Sequence, residues 1–219
     1  MKTKNYEIAI FDMDGTILNT LDDLAGSANY VLLEYGMPVR TINEIRNFVG
    51  NGIRKLIERA AIDGTSDAKI DEMLETFNEY YKVHCADWTK PYDGINELLL
   101  KLRASGVKTA VVSNKADYGV QALCEEYFPG LFDYAVGEKA GVRRKPCADS
   151  VYHVLERFDI RKEKAVYIGD SDVDYKTAVN AGVDSIMVTW GFRDEVFLRS
   201  MGASTFVNKP EAIYDIVIS

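Results

Sequence analysis

The first strand-like run of the chain passes directly into two acids and a glycine, in the stretch Tyr6-Glu7-Ile8-Ala9-Ile10-Phe11-Asp12-Met13-Asp14-Gly15-Thr16. Its largely apolar part, residues 6–11, predicts a strand buried on both faces of a parallel sheet. Asp12 and Asp14 should then lie at the carboxyl end of that strand, where Gly15 allows a tight turn. Like charges this close repel unless a metal ion or a shared proton offsets them. The pattern therefore favours a ligand site over an Asp-rich turn that caps the next helix.

Short apolar runs rich in Val, Ile and Tyr recur along the rest of the chain. They predict further strands at residues 108–113, 133–136, 165–168 and 185–188, with a short last strand at 205–207. Amphipathic stretches of helical period lie between them, at residues 94–105, 119–127, 148–158 and 175–181. This alternation predicts an α/β fold with a doubly wound parallel sheet and right-handed crossovers.

The segment between the first and second strands breaks the alternation. From residue 18 to about residue 90 the patterns are helical only, at residues 22–35, 42–49, 52–61 and 68–88. A stretch of about 70 residues is too long for a plain loop. The sequence therefore predicts an inserted α-helical domain, residues 18–90, within a discontinuous core domain of residues 1–17 and 91–219. Pro91 and Gly94 mark the return point as a turn and hinge.

Composition narrows the class of protein. Among 219 residues the formal net charge is -8, which disfavours a nonspecific nucleic-acid partner, and the surplus of carboxylates suggests chemistry that uses a divalent cation. The three cysteines have no paired spacing, so neither a disulfide framework nor a zinc site is expected. The N-terminal residues lack the apolar core of a signal peptide, and no apolar run approaches the ~20 residues of a membrane span. We expect a cytoplasmic protein with no membrane partner.

Three further polar segments follow predicted strands or lie near them. Ser113 and its neighbour Asn114 offer a hydroxyl and backbone donors to phosphate oxygens, although a helix N-cap explains them equally. Lys145 belongs to the densest basic cluster of the chain and would give a phosphate a compact positive charge, unless the cluster is a solvated turn. Asp170 and Asp174 belong to an acidic run that suits a hard cation with oxygen ligands. Because ligands of open α/β sheets bind beyond the carboxyl ends of the strands, these groups should form one site.

In this order, the segments resemble the four motifs of the haloacid dehalogenase superfamily. The first motif corresponds to Asp12-Met13-Asp14-Gly15-Thr16, the second to Ser113, the third to Lys145 and the fourth to Gly169-Asp170 through Asp174. The resemblance covers essentially the whole chain, so it implies a Rossmann-like core, with the helical insertion as the cap domain.

The stretch Thr189-Trp190-Gly191-Phe192-Arg193, with Ala178 and Gly182, is similar to the phosphoglycolate phosphatase branch. Asp14 suits phosphoryl transfer rather than dehalogenation, and Gly169 stands where the phosphomutase branch usually has Glu. Ala148 departs from the family, which often has Pro there.

The resemblance implies a Mg²⁺-dependent phosphatase that acts on a small phosphorylated metabolite, with 2-phosphoglycolate as the expected substrate. Asp12 would be the nucleophile and Asp14 the acid and base, while phosphate would contact Ser113, Asn114 and Lys145. The metal ligands would be Asp12, the backbone carbonyl of Asp14, Asp170 and, as an outer ligand or as the orienting partner of Lys145, Asp174.

The expected cap would close over the site and bring Arg54 to a substrate carboxylate, although a solvated Arg at a helix start is an equal alternative. A pyrophosphatase, nucleotidase or sugar phosphomutase of the same superfamily stays open. A receiver-type signalling module is disfavoured, because such modules have about half this length and lack the insertion. The chain is expected to be a monomer or homodimer.

Overall fold

The structure is a computed structural model that describes residues 6–219. Its strands are β1 (Ile8–Phe11), β2 (Leu18–Asn19), β3 (Lys90–Pro91), β4 (Lys108–Ala116), β5 (Tyr134–Glu138), β6 (Ala165–Gly169), β7 (Asp184–Val188) and β8 (Phe206–Val207). Its α-helices are α1 (Leu21–Glu34), α2 (Ile42–Phe48), α3 (Ile53–Ala60), α4 (Asp67–His84), α5 (Ile95–Ala104), α6 (Asp117–Tyr127), α7 (Asp149–Phe158), α8 (Asp172–Ala181), α9 (Glu195–Ser200) and α10 (Glu211–Ile218). A short 3₁₀ turn occupies Lys162–Lys164.

The chain divides into two compact units. The described residues up to Leu18 join with Pro91–Ser219 in one, which we call the core unit, and Asn19–Lys90 form the other, the helical unit. The two points where the chain passes between them are β2 and β3, which pair as a two-stranded sheet. Each unit has its own apolar interior and is described separately.

A six-stranded sheet of order β5-β4-β1-β6-β7-β8 forms the centre of the core unit, and its strand pairs are parallel. β1 lies in the middle, and all four of its residues are fully buried. Ile8 and Ile10 pack with residues of α7 and α8 on one face. Ala9 and Phe11 point to the opposite face and are equally buried, so helices must cover both faces. The predicted α/β fold with a doubly wound parallel sheet is confirmed.

The helical unit is held by α1 and α4, which run antiparallel. Tyr30 stacks on Tyr80 at 3.9 Å between ring centroids, and Tyr35 and Thr76 share a hydrogen bond of 2.9 Å. The buried faces of α1 to α4 meet in one apolar cluster, since each helix carries apolar residues at helical spacing. Asp23, in the first turn of α1, is buried and accepts hydrogen bonds from the backbone N–H groups that follow α4.

Several elements differ in extent from the sequence prediction. β1 begins at Ile8 rather than at residue 6, and β4 continues through the polar residues up to Ala116. α8 begins at Asp172, earlier than residue 175, because the Ser171 side chain caps it by accepting from the N–H of Asp174. The helices α9 and α10 were not predicted. Across residues 6–219 none of the helices has the length and apolarity that a membrane span requires.

Candidate active site

Three neighbouring strands carry the predicted site residues to one edge of the sheet. β1 lies between β4 and β6, and Phe11 is in register with Val111 on one side and Ile168 on the other. Asp12 and Asp170 directly follow β1 and β6, and Ser113 lies in the last part of β4. Since parallel strands end at the same edge, the fold itself brings these segments together.

Lys145 is the cation at the centre of this edge. Its Nζ lies 2.7 Å from Oδ1 of Asp12, 2.8 Å from Oδ1 of Asp174 and 3.0 Å from the hydroxyl of Tyr167, and its side chain is only 4% exposed. Burial alone would lower the pKa of Lys145, but the charges of Asp12 and Asp174 outweigh it and hold that pKa well above its usual range. Lys145 therefore stays charged and ties two carboxylates into one cluster.

Three buried carboxylates, of Asp12, Asp170 and Asp174, could together hold a metal ion. Each offers an oxygen, and these oxygens lie within 4.8 Å of one another. Burial, and then the charge of Asp174, raises the pKa of Asp12 well above its usual range although Lys145 opposes the shift. The same two causes raise the pKa of Asp170 to about 7. An all-carboxylate donor set of this kind fits a hard divalent cation, which would relieve the repulsion that raises these pKa values.

Asp170 is enclosed by backbone from two loops. The N–H of Phe192 donates to its Oδ2 at 2.6 Å, and the Thr16 hydroxyl donates to its Oδ1 at 3.3 Å. Gly15 has a φ of +87°, and a Cβ there would lie 2.5 Å from Oδ2 of Asp170; a Cβ on Gly191 would overlap Asp170 as well. The two glycines are therefore needed for close approach of the loops to this carboxylate, in addition to the turn predicted at Gly15.

Asp174 combines two functions at the start of α8. Its Oδ2 accepts from the backbone N–H of Ser171 at 3.0 Å and from the Ser171 hydroxyl at 2.6 Å, while its Oδ1 receives Lys145. A Cβ on Gly169 would overlap the Asp174 side chain, so the glycine at that position is required by this packing. Asp172, the remaining acid of the run, contacts Lys176 at 2.9 Å instead of the cluster.

The segment after the middle of β4 contacts two other parts of the site. The Asn114 side chain bonds to the backbone of Lys145 through both its oxygen and its nitrogen, at 2.8 and 3.1 Å. Ser113 is 6% exposed, and its Oγ accepts from the N–H of Lys115 at 3.1 Å. Nζ of Lys115 lies 3.1 Å from Oδ1 of Asp14. The carboxylate of Asp14 is thus paired with a lysine outside the three-carboxylate group.

Sequence reasoning missed Lys115 and Tyr167. Tyr167 is fully buried in β6, and its hydroxyl donates to the Val112 carbonyl at 3.0 Å while it accepts from Lys145. The available signals were modest: Lys115 directly follows Asn114, and Tyr167 carries the only side-chain hydroxyl in the run Ala165–Gly169.

Arg54, the predicted substrate-reading residue, lies in the first turn of α3 in the helical unit. Its guanidinium contacts Glu58 at 3.0 Å, Asp67 at 3.7 Å and, through a short contact, Asp71. The preceding Gly52 has a φ of +84°. Within its unit Arg54 is surrounded by carboxylates, so a substrate carboxylate would have to compete with them.

Comparison with known proteins agrees with this geometry. The chain matches the family model of haloacid dehalogenase-like hydrolases over residues 9–188. A phosphoglycolate phosphatase from Agrobacterium fabrum is 34% identical over 85% of this chain and 82% of its own length. Another from Chromobacterium violaceum is 30% identical over 99% of both chains. A crystal structure from Lactobacillus delbrueckii subsp. bulgaricus, of a protein provisionally named a phosphoglycolate phosphatase, has a TM-score of 0.93 and 38% identity, covering 98% of this chain and 99% of that one.

The family match covers most of the chain, and full-length relatives share both its sequence and its fold. The chain therefore belongs to the haloacid dehalogenase-like hydrolases, and within that family it is a phosphoric monoester hydrolase that resembles phosphoglycolate phosphatase.

Proposed function

We propose that the chain is a Mg²⁺-dependent phosphatase that hydrolyses 2-phosphoglycolate through a phosphoaspartate at Asp12. The observation that carries the proposal is the contact of Asp12 with Lys145 inside a buried group of three carboxylates. A nucleophile for a phosphate ester needs positive charge beside it, because the incoming phosphate is itself negative. Lys145 supplies one such charge.

The metal would be held by Asp12 and Asp170, with Asp174 as a direct or water-mediated ligand. Such an ion, when bound, supplies positive charge that favours ionised carboxylates and offsets the charge of the phosphate oxygens. The backbone carbonyl of Asp14 stays a predicted ligand.

In the first half-reaction an oxygen of Asp12 would bond to phosphorus while the bond from phosphorus to the leaving oxygen breaks. Asp14 would give its proton to that oxygen, so that a neutral alcohol leaves. In the second half-reaction a water oxygen would bond to phosphorus and pass a proton to Asp14. The bond from phosphorus to Asp12 would break, which releases inorganic phosphate and restores both carboxyl groups.

The buried lysine and hydroxyl define the phosphate-binding part of the proposal. The three donors of the Lys145 ammonium group contact Asp12, Asp174 and the Tyr167 hydroxyl, so Lys145 would exchange one of these contacts for a non-bridging oxygen of the phosphate. Ser113, which is buried in the last part of β4, would donate its hydroxyl to a second oxygen. Asn114 would act through Lys145, because its amide is already bonded to the lysine backbone.

The choice of 2-phosphoglycolate rests on the relatives, which are named phosphoglycolate phosphatases at 30 and 34% identity. Arg54 remains the predicted partner of the substrate carboxylate. If it has that role, Arg54→Ala should raise the KM for 2-phosphoglycolate and leave the KM for a neutral phosphomonoester unchanged. A KM for 2-phosphoglycolate that is the same in Arg54→Ala and in the unmodified protein would show that Arg54 does not bind the substrate carboxylate.

The test is phosphate release with and without Mg²⁺ from a panel that contains 2-phosphoglycolate, pyrophosphate, nucleoside monophosphates and sugar phosphates. One dominant substrate, 2-phosphoglycolate, is the expected result. A dominant response to pyrophosphate, a nucleotide or a sugar phosphate would replace the substrate and keep the chemistry. Release that is equal with and without the metal would contradict the metal dependence.

A further inference from the structure

The core unit contains a second buried lysine for which the proposed phosphate chemistry has no role. The side chain of Lys115 is 7% exposed, and its Nζ lies 3.1 Å from Oδ1 of Asp14, whose side chain is 18% exposed. The two lysines of the site contact different carboxylates: Lys145 contacts Asp12 and Asp174, and Lys115 contacts Asp14. Asp14, the residue proposed to exchange protons, is thus paired with Lys115 and not with Lys145.

Lys115 is fixed along its whole length. Its backbone N–H donates to the Ser113 hydroxyl at 3.1 Å, within β4. Its side-chain stem passes over Gly119 in the first turn of α6, where a Cβ would lie 3.6 Å from Cδ and Cε of the lysine. An ammonium group so far from solvent is costly unless a carboxylate is placed for it, and Asp14 fills that requirement.

This contact decides which oxygen of Asp14 is available. Lys115 contacts Oδ1, so the other carboxylate oxygen, Oδ2, is the candidate to face a reacting group. Without the lysine the carboxylate could rotate about its Cβ–Cγ bond, since that torsion is broad for Asp. Correct placement of a proton-exchanging group is a large part of its effect on rate.

We propose that Lys115 is a positioning residue for Asp14, which it holds by Oδ1 so that Oδ2 exchanges the proton in both half-reactions. The inference rests on the proposed function and deepens it. When the ester bond breaks, the proton moves from Oδ2 of Asp14 to the leaving oxygen. When water bonds to phosphorus and the bond to Asp12 breaks, a proton moves from that water to Oδ2.

An activated substrate separates the two proton transfers. 4-Nitrophenyl phosphate has a leaving group that departs as a stable anion, so its first half-reaction needs no proton from Asp14, while the second half-reaction still needs a base. In Lys115→Met we expect a rapid burst of about one nitrophenolate per active site, followed by turnover reduced by ~10²-fold. With 2-phosphoglycolate, single-turnover cleavage itself should slow by a similar factor.

The matched control is Lys108→Met. Lys108 stands at the other end of β4 and pairs with Asp133 at 2.9 Å, with its side chain 49% exposed. The Lys108→Met variant removes a Lys–Asp pair from the same strand but away from the site. Its turnover of 4-nitrophenyl phosphate and its single-turnover cleavage of 2-phosphoglycolate should both stay within about 2-fold of the unmodified protein. Lys115→Arg, which keeps the charge and the hydrogen-bond donors, should recover a large part of the lost turnover.

Two results would overturn the role of Lys115. One is unchanged kinetics in Lys115→Met with both substrates. The other is a burst that slows as much as turnover does, which would indicate general damage to the site. If Lys115→Met does not fold, Lys115→Arg and Lys115→Gln provide the comparison, and a Gln variant as fast as the Arg variant would contradict a need for the charge. Failure of the unmodified protein to hydrolyse any phosphomonoester would instead refute the proposed function.

Discussion

The side chain of Asn114 bonds to Lys145 at both polar atoms of the lysine backbone. Its carbonyl oxygen accepts from the Lys145 N–H at 2.8 Å, and its amide nitrogen donates to the Lys145 carbonyl at 3.1 Å. The loop that carries Lys145 precedes α7 and lies outside the sheet, whereas Asn114 belongs to β4. The position of the central cation is therefore set from a neighbouring strand.

Asn114→Ala should lower turnover by roughly 10- to 100-fold, because loss of a group that orients a direct ligand commonly has an effect of this size. The free energy of unfolding should fall by only about 1–2 kcal/mol, the value of two hydrogen bonds. Steady-state kinetics and urea denaturation measure the two effects. Asn180→Ala is the control, since Asn180 is exposed and bonds to the same loop at the Pro146 carbonyl, 2.8 Å away. Equal activity in the two variants would contradict the positioning role of Asn114.

The acid cluster should make the metal-free protein less stable as pH rises. The pKa of Asp170 is raised to about 7, so between about pH 4 and pH 7 the folded protein holds a proton that the unfolded chain has released. Stability from this group is therefore present at low pH and is lost as pH rises through about 7. The free energy of unfolding should fall by about 2 kcal/mol between about pH 5.5 and pH 8.

Urea denaturation in a chelator, at both pH values, measures this loss. In Asp170→Asn the free energy of unfolding should fall less between the two pH values, because the amide cannot ionise. An equal fall in the two proteins would show that Asp170 is not the titrating group. Added Mg²⁺ should stabilise the unmodified protein more at the higher pH, because the cation competes with the proton for the same carboxylate.

Asp23 should be important for the stability of the helical unit. Its carboxylate accepts from the N–H groups of Trp88 at 3.0 Å and Thr89 at 2.8 Å, and Thr89 is buried. Asp23→Ala should lower the free energy of unfolding by about 2–3 kcal/mol, because it leaves the buried N–H of Thr89, and the N–H of Trp88, without this acceptor. Asp22→Ala is the control, since Asp22 occupies the same helical turn but is exposed. If the two variants lose a similar free energy of unfolding, Asp23 acts only as any acid in the first helical turn does, through the helix dipole, and its contacts with Trp88 and Thr89 add nothing.

Two glycines of the helical unit should respond in opposite ways to alanine. Gly26 lies inside α1 and Gly36 just beyond it, and a Cβ would meet nothing within 4 Å at either position. Gly26→Ala should raise the free energy of unfolding by about 0.5–1 kcal/mol, because alanine is the better helix former. Gly36 has a φ of +65°, so Gly36→Ala should lower it by about 1 kcal/mol. Thermal denaturation of both variants measures the two stability changes. If both variants gain stability, or both lose it, the backbone conformation of the glycine does not determine the effect of the alanine.

The central strands β1 and β6 could be predicted because both of their faces are buried, so their sequences are almost wholly apolar. The run Ile8–Phe11 is fully buried, and such runs differ clearly from amphipathic helices. The helix α10 was missed, since its apolar, β-branched sequence is typical of strands, and packing of Ile213 and Val217 one helical turn apart determines it. The end of β4 was missed for the opposite reason: its last residues are polar and belong to the site.

The sequence indicated which segments meet at the site, because the order of strands and polar residues places them on one edge. It did not indicate which side chains pair. The contact of Lys115 with Asp14 joins residues 101 positions apart, and nothing local in either segment favours it over a contact with Asp12. The role of Asn114 depends in the same way on the approach of a loop 31 residues later. Tertiary packing alone determines these partners.

A phosphoaspartate at Asp12 can be detected by chemical trapping. The protein is mixed with Mg²⁺ and 2-phosphoglycolate or 4-nitrophenyl phosphate, quenched during turnover and treated with borohydride, which reduces an acyl phosphate to an alcohol. Peptide mass spectrometry should then find homoserine in place of aspartate at position 12, in the unmodified protein and not in Asp12→Asn, which should also lack turnover. Turnover that leaves Asp12 unreduced, or a reduced aspartate at another position, would rule out Asp12 as the nucleophile.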